Sequence, residues 1–316
     1  MIENTVQNAS EPPLLSADRP PEVTRTATLG SREEGGDLQL RRPNFWQRFA
    51  RHRLALVALM IIIAFALVGA FATVITPYDP YAQNFDPTAL PSAAHWVGTD
   101  DLGRDELSRL ILGARISLGI SAGATLMAVC IGLLVGSIAG YSGGQVDNLL
   151  MRLVDLVLAF PALFLILIVA VTTGVNVLTI ILLIGAFNWM FLARLTRAEF
   201  LQIKELDYVQ AARALGVPTG RIIWRHVLPN ALGPIIVSAT FILAGAMYIE
   251  AVLDFLGFGL SPDIPSWGNL LTSAENDFYT APLLAVVPGV LLTLAILCMN
   301  FIGDGLRDAL DPRHVR

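Results

Sequence analysis

Six stretches of this chain are long, apolar and nearly free of charge, which removes most of the folds open to a chain in water. Leu54 to Ile75 contains no charged residue, and ~20 apolar residues wound as a helix cross the ~30 Å hydrocarbon core of a bilayer. Further runs of this kind cover approximately residues 116–139, 149–171, 177–193, 231–252 and 282–302. The expectation is an all-α membrane protein with six transmembrane helices. Composition agrees, because 54% hydrophobic and 15% charged residues are too apolar for an ordinary soluble domain. Pro161 should kink the third span, while Pro234 interrupts the fifth and Pro288-Gly289 should bend the sixth.

The polar remainder sets the organisation. Residues 1–40 mix Pro, Glu, Ser and Thr with few large apolar side chains, which reads as a disordered cytoplasmic tail. The first apolar run starts so far along that it should stay as an anchor and not be cleaved as a signal peptide. In residues 41–53, Phe45, Trp46 and Phe49 alternate with Arg41, Arg42, Arg48, Arg51 and Arg53. That pattern suits a basic amphipathic segment at the interface, or a topology signal alone. Residues 54–316 make up the transmembrane unit, with one long loop, 197–230, between spans four and five. An N-terminus inside leaves Arg152, Arg194, Arg197, Lys204, Arg213, Arg221, Arg225, Arg307, Arg313 and Arg316 on the cytoplasmic side. Only Arg104, Arg109 and Arg115 then fall outside, and residues 254–281 hold no positive charge. Both termini and the 197–230 loop are thus expected in the cytoplasm.

Several chemistries are set aside. The net charge of −5 has no clustered basic face of the sort that binds nucleic acid. Cys130 and Cys298 lie in apolar runs, and His52, His95, His226 and His314 are scattered singly, so neither a disulfide framework nor a metal site is expected. Lys204 is the only lysine and Glu205 follows it, so a Gly-x4-Gly-Lys-Ser/Thr phosphate loop is not present. If ATP drives this protein, another chain hydrolyses it. Gly119-Ile-Ser121-Ala-Gly123 matches the serine-hydrolase elbow by letter only, because that elbow needs a preceding strand and a histidine base near by.

Within the second span, Gly119 and Gly123, and then Gly132, Gly136 and Gly140, form two runs at four-residue spacing, where they let helix backbones touch in lipid. Arg152 and Asp155 are expected to pair at the bilayer edge. Glu250 sits far along span five, and an ionisable group there faces water or a pathway, or else reaches the outer interface.

The loop carries the densest signal. Asp207 is placed to cap a short helix, with Gln210 in the capping-box position. Tyr208, Ala211, Ala212 and Leu215 then share one face, while Gln210 and Arg213 point elsewhere. Gly216 supplies a left-handed terminus and Pro218 prevents continuation. Two turns are marginal alone, so this helix must pack against something. A small face invites close approach by another protein, or the helix lies on lipid headgroups.

Gln210-Ala211-Ala212, then Gly216, then His226-Val227-Leu228-Pro229 resembles the "EAA" loop of permease subunits from ABC-type importers. Gln210 stands where that pattern has Glu and His226 where Ile is usual; glutamine keeps the capping role and loses the charge. His95-Trp-Val-Gly-Thr-Asp-Asp-Leu-Gly-Arg-Asp105, Tyr141 to Asp147, Phe255 to Gly259, Pro265 to Gly268 and Gly303 to Pro312 are similar to stretches of the dipeptide and oligopeptide "C" permeases. The resemblance covers residues 41–314. It implies the type I ABC importer permease fold in the inner membrane, with N and C termini cytoplasmic and the segment from Asp207 to Pro229 docking on the ATPase. It also implies a homologous permease subunit, two ATP-binding subunits that hold ATP and Mg, and an extracytoplasmic substrate-binding protein. Peptides are the implied cargo, with nickel chelates and glutathione carried by related systems. An ion-coupled secondary carrier is the alternative that shares the membrane architecture.

Overall fold

The computed structural model describes residues 45–310 apart from residue 276. The expected tail over residues 1–40 and the first part of the basic segment lie outside them. In chain order the helices are α1 (Phe45–Phe49), α2 (Arg53–Ala70), α3 (Ala72–Ile75), α4 (Glu106–Ser142), α5 (Gly144–Leu158) and α6 (Ala162–Thr173). They continue with α7 (Val177–Ile203), α8 (Asp207–Ala214), α9 (Thr219–Ile222), a π-helical turn over Ile223–Val227, α10 (Leu228–Phe255), α11 (Trp267–Ser273) and α12 (Leu283–Leu310). Among the described residues no strand forms, and one isolated bridge joins Thr99 to Asp105.

Five helical segments are long and apolar enough to cross a membrane, and the bent pair α5 and α6 makes a sixth if counted as one span. Packing shows why the pair is a crossing. A Cβ on Gly123 would meet Ile181, one on Gly132 would meet Leu192, and one on Gly140 would meet Phe200. Helices α4 and α7 therefore run side by side in the same direction, and the chain between them must return across the same depth. The sequence predicted a kink at Pro161; the observed bend is 75° with a break between the two helices. The proline cannot supply its amide, and Ala159 and Phe160 leave the helix before it.

Helix boundaries depart from the apolar runs in both directions: α2 stops at Ala70, short of Ile75, whereas α4 and α7 extend well beyond their runs. The second span belongs to one 37-residue helix, α4, which starts ten residues before the apolar run and is capped by Asp105 through Ser108 N at 2.9 Å. No residue between Glu106 and Ser142 obliges the helix to stop, so polar and apolar parts continue together. Span four likewise runs on to Ile203, carrying Arg194 and Arg197 on its last turns. Arg197 forms a two-pronged pair with Asp147 of α5, with Nη2 to Oδ2 at 2.7 Å. The expected Arg152–Asp155 pair is not made. Asp155 instead meets Arg194 at 2.6 Å, so the bond ties α5 to α7 where a local pair would tie α5 to itself.

Of the five glycines, Gly123, Gly132, Gly136 and Gly140 face α7. A Cβ at Gly136 would lie 2.5 Å from Ala193 O, and one at Gly140 2.7 Å from Arg197 O, so bare backbone is what lets α4 and α7 meet. Gly119 is the correction. It is exposed and a Cβ there would meet nothing within 4 Å, so it packs against no helix of this chain.

The bundle has two distinct ends. His52 lies 3.8 Å from Asp308, Gly233 faces Leu310, and Asn230 bonds Tyr208. The starts of α2 and α10, the finish of α12 and the α8 segment thus share one end. The opposite end carries residues 77–105 and 256–282, joined by Arg104 to Asp263 at 3.5 Å and by Arg109 to Pro262 O at 3.1 Å.

Candidate functional site

At the first end, α8 is held from beneath and left open above. Val209 is fully buried in a cluster with Phe200, Ile203, Ile222, Val227 and Ala231, and Ala212 packs partly against the same cluster. Tyr208, Ala211 and Leu215 face outward, Leu215 with 83% of its surface exposed. The shared face expected from the spacing is therefore divided: Ala212 serves the chain's own core, and Val209 is the buried anchor that the spacing left out.

The expected caps are redistributed as well. Leu206 is the N-cap, without a side-chain bond, and Asp207 is the first helical residue, where its charge suits the positive end of the helix dipole. Gln210 does not close a capping box on Asp207. Its Nε2 donates to Lys204 O at 2.9 Å and to the Glu205 carboxylate at 3.2 Å, fastening α8 to the end of α7. Lys204 Nζ in turn donates to Gly140 O at 2.9 Å. The far terminus is as expected: Gly216 has φ +75°, Val217 N bonds Ala212 O at 3.1 Å and Gly216 N bonds Arg213 O at 3.0 Å. That paired pattern releases the chain at a fixed angle.

Arg213 sits over the Tyr141 ring at 5.7 Å, a cation–π contact between the segment and the end of α4. The His226 ring is 6.3 Å from the Tyr208 ring, and Asn230 Nδ2 donates both to His226 O at 2.6 Å and to Tyr208 Oη at 3.2 Å. Leu228 packs against the same cluster as Val209. The π-helical turn at Ile223–Val227 then feeds directly into α10, leaving Trp224 outward with 73% exposed. Beside it, Leu195, Pro229, Asn230, Pro234, Phe241 and Arg307 line an open groove of about 620 Å³. Side chains from residue 204 to residue 230 are thus one unit, packed underneath, with Tyr208, Leu215 and Trp224 exposed on its outer surface among the charged Asp207, Arg213, Arg221 and Arg225.

The opposite end holds a buried polar cluster that the sequence did not single out as a unit. Glu250 reaches neither water nor the outer interface; it is fully enclosed, with Oε1 3.3 Å from Ser117 Oγ of α4. Ser117 Oγ also accepts Trp267 N at 3.1 Å, and Trp267 Nε1 donates to Leu110 O. One turn on from Glu250, Asp254 accepts Leu260 N at 2.7 Å and the Ser266 hydroxyl at 2.5 Å. Asn269 donates its amide to the carbonyls of Leu260, Ser261 and Ile264. The loop after α10 is therefore tied back onto the helix it leaves. A neighbouring knot is charged: Asp100 pairs with Arg104 at 2.6 Å, and His95 Nδ1 lies 2.8 Å from Asp105. The available signal was Ser266-x-x-Asn269 at a helix start and two acids one turn apart. The partner Ser117 is too distant in the chain for spacing to reveal. Ser121, the letter match to a nucleophile, donates to Ser117 O at 2.7 Å within α4.

Residues 132–316 match the profile of the binding-protein-dependent transport system inner membrane component, and residues 44–91 match the N-terminal transmembrane domain of oligopeptide transport permease C. The chain belongs to this permease family. It is 36% identical over 295 residues to the glutathione transport system permease protein GsiD of Pectobacterium atrosepticum, covering 92% of this chain and 97% of that one. It is 39% identical to the dipeptide permease DppC of Alkalihalophilus pseudofirmus over 85% of this chain and 88% of that one. Identity to the oligopeptide permease OppC of Haemophilus influenzae is 38%, covering 88% and 91%. An inward-facing structure of the MetNI methionine ABC transporter shares the fold at a TM-score of 0.55 and 21% identity, over 65% of this chain and 97% of that one. The permease is thus a multi-pass inner-membrane component of an ABC importer, and the ion-coupled carrier is left without support.

Proposed function

We propose that this permease forms half of the translocation pathway of an importer for dipeptides and oligopeptides. In this reading it pairs with a homologous permease, and two ATP-binding subunits, which hold ATP and Mg, dock on the segment from Asp207 to Pro229. An extracytoplasmic binding protein delivers the cargo to the end that carries α11, and both termini lie in the cytoplasm.

The observation that carries the proposal is the construction of α8. It is fixed to α7 by Gln210 and to the core by Val209, yet shows Tyr208, Ala211 and Leu215 to solvent. A surface built this way gives way little when pushed, so motion of a docked subunit passes through the π-helical turn into α10. Peptide cargo is favoured by the match of residues 44–91 to permease C and by the DppC and OppC relatives. Glutathione, itself a tripeptide, is the second reading, favoured by the GsiD relative.

The test is uptake by the complex reconstituted with its neighbouring subunits and binding protein, using a labelled dipeptide, a labelled hexapeptide and glutathione. ATP-dependent peptide uptake supports the proposal. Uptake of glutathione alone replaces the cargo, and uptake without ATP overturns the coupling.

A further inference from the structure

Where α4 begins, at the end that carries α11, a buried acid is left without a partner. Glu106 is the first residue of α4, and its N–H bonds Gly98 O at 3.1 Å, so the loop before the helix folds over it. The end of α11 covers it from another side, with Ser273 and Ala274 beside Asp100, Asp101 and Asp277 around a hollow of about 10 Å³. Glu106 lines that hollow with 2% of its surface exposed, and its Oε1 has no hydrogen-bond partner among the described residues. The nearby cations are engaged elsewhere. Arg104 Nε pairs with Asp100 at 2.6 Å, and Arg109 donates to Pro262 O at 3.1 Å and to Pro80 O at 3.4 Å.

A carboxylate oxygen only accepts, so the group that completes this hollow is a donor. The space takes one water-sized group, which an ammonium fits and a planar guanidinium does not. A metal ion would need several ligands, and among the described residues no three His, Cys, Asp or Glu side chains are grouped to hold one. The surroundings have one sign. Asp79, Asp86, Asp101, Asp263 and Glu275 are exposed, whereas residues 77–105 and 256–282 hold a single Lys or Arg, Arg104, which is buried. Carboxylates drawn from both loops suit the broad basic face of a protein better than the one ammonium of a peptide.

We propose that this hollow receives a lysine ammonium of the extracytoplasmic binding protein, held by Glu106, Asp101 and Asp277, while the outer carboxylates steer that protein's basic face towards it. The inference rests on reading this chain as an importer permease served by a binding protein. A lysine seated there would bridge the start of α4 to the end of α11, which Asp254 and Ser266 already tie to α10.

The experiment measures binding of the purified, peptide-loaded binding protein to the assembled transporter in lipid nanodiscs. Expected is a Kd about tenfold higher in Glu106→Gln and about fivefold higher in the Asp101→Asn/Asp277→Asn pair, with an association rate that falls steeply as salt rises from ~0.05 to ~0.5 M. Replacing the binding protein's surface lysines one at a time by glutamine should find one whose loss weakens docking to the unaltered transporter and adds nothing in Glu106→Gln. Thermal midpoints show whether the variants keep their fold. Should Glu106→Gln lose it, Asp101→Asn, a change at an exposed side chain, carries the same cycle. Equal Kd across the variants overturns the proposal and leaves the importer reading standing. Weaker docking in the carboxylate variants with no lysine coupled to them assigns the hollow to a free cation and overturns the lysine. No docking to the unaltered transporter at any salt removes the binding-protein reading itself.

Discussion

Gly132, Gly136 and Gly140 of α4 face backbone atoms of α7, and backbone cannot step aside. Gly136→Leu should therefore lower the thermal midpoint of the purified permease by about 5–10 °C, since overpacking costs ~1–3 kcal/mol even where neighbours can move. Gly119→Leu, with nothing within 4 Å, should leave that midpoint unchanged. At the opposite end, Asp254→Ala removes the acceptor of Leu260 N and of the Ser266 hydroxyl, and bonds to a charged group are each worth about 1.5–3 kcal/mol. Amide exchange across residues 257–273 should rise at least about tenfold. Glu250→Gln keeps an acceptor for Ser117 and removes no cation partner, so the fold should hold within about 1 kcal/mol. These residues also mark where sequence was readable. Four-residue glycine spacing exposed the α4 and α7 contact, because a helix repeats its face on that period. The bond from Ser117 to Glu250 spans 133 positions and has no period to betray it, so Glu250 was placed towards water or the interface when it is enclosed.

Helix α8 shows how an element differs from its pattern. Spacing alone put Tyr208, Ala211, Ala212 and Leu215 on one face, but a two-turn helix laid on a core buries whatever points downward, here Val209 with Ala212 at the edge. Ala212→Glu would thus disturb the permease's own packing, whereas Leu215→Glu and Ala211→Glu change only the outer surface. Leu215→Glu should insert at normal levels yet lose most association with the ATPase and most uptake, read by copurification alongside transport. Normal uptake in that variant would sink the docking surface. Gly216→Val acts on the same element differently, because φ +75° in a β-branched residue costs roughly 1–2 kcal/mol and would redirect the chain toward α9. The bend between α5 and α6 belongs here too. Pro161 announced a kink, and the 75° break is larger because the residues before a proline are themselves driven out of helix.

Across the whole molecule, the segment from Thr219 to Phe255 is one 37-residue run that starts beside α8 and ends at the Asp254 cluster holding α11. In the proposed assembly one end meets the ATP-binding subunits and the other the delivered cargo, which would make α10 the direct mechanical link between them. The bundle also groups the charges by end. The starts of α2 and α10, the end of α12 and α8 lie together, and that end holds Arg48, Arg51, Arg194, Arg197, Lys204, Arg213, Arg221, Arg225 and Arg307, while Arg104, Arg109 and Arg115 lie towards the other. Positively charged flanks stay in the cytoplasm. The nearness of the ends is a property of the fold; which side they occupy rests on charge alone, and it can be measured directly. Single cysteines placed at Asn84 and Asp277, in a background with Cys130 and Cys298 replaced, should react with a membrane-impermeant maleimide added to intact cells. A cysteine at Leu215 should react only after the membrane is opened. Labelling at Leu215 in intact cells would invert the orientation, and an inverted permease would leave the proposed docking segment where no ATP is available.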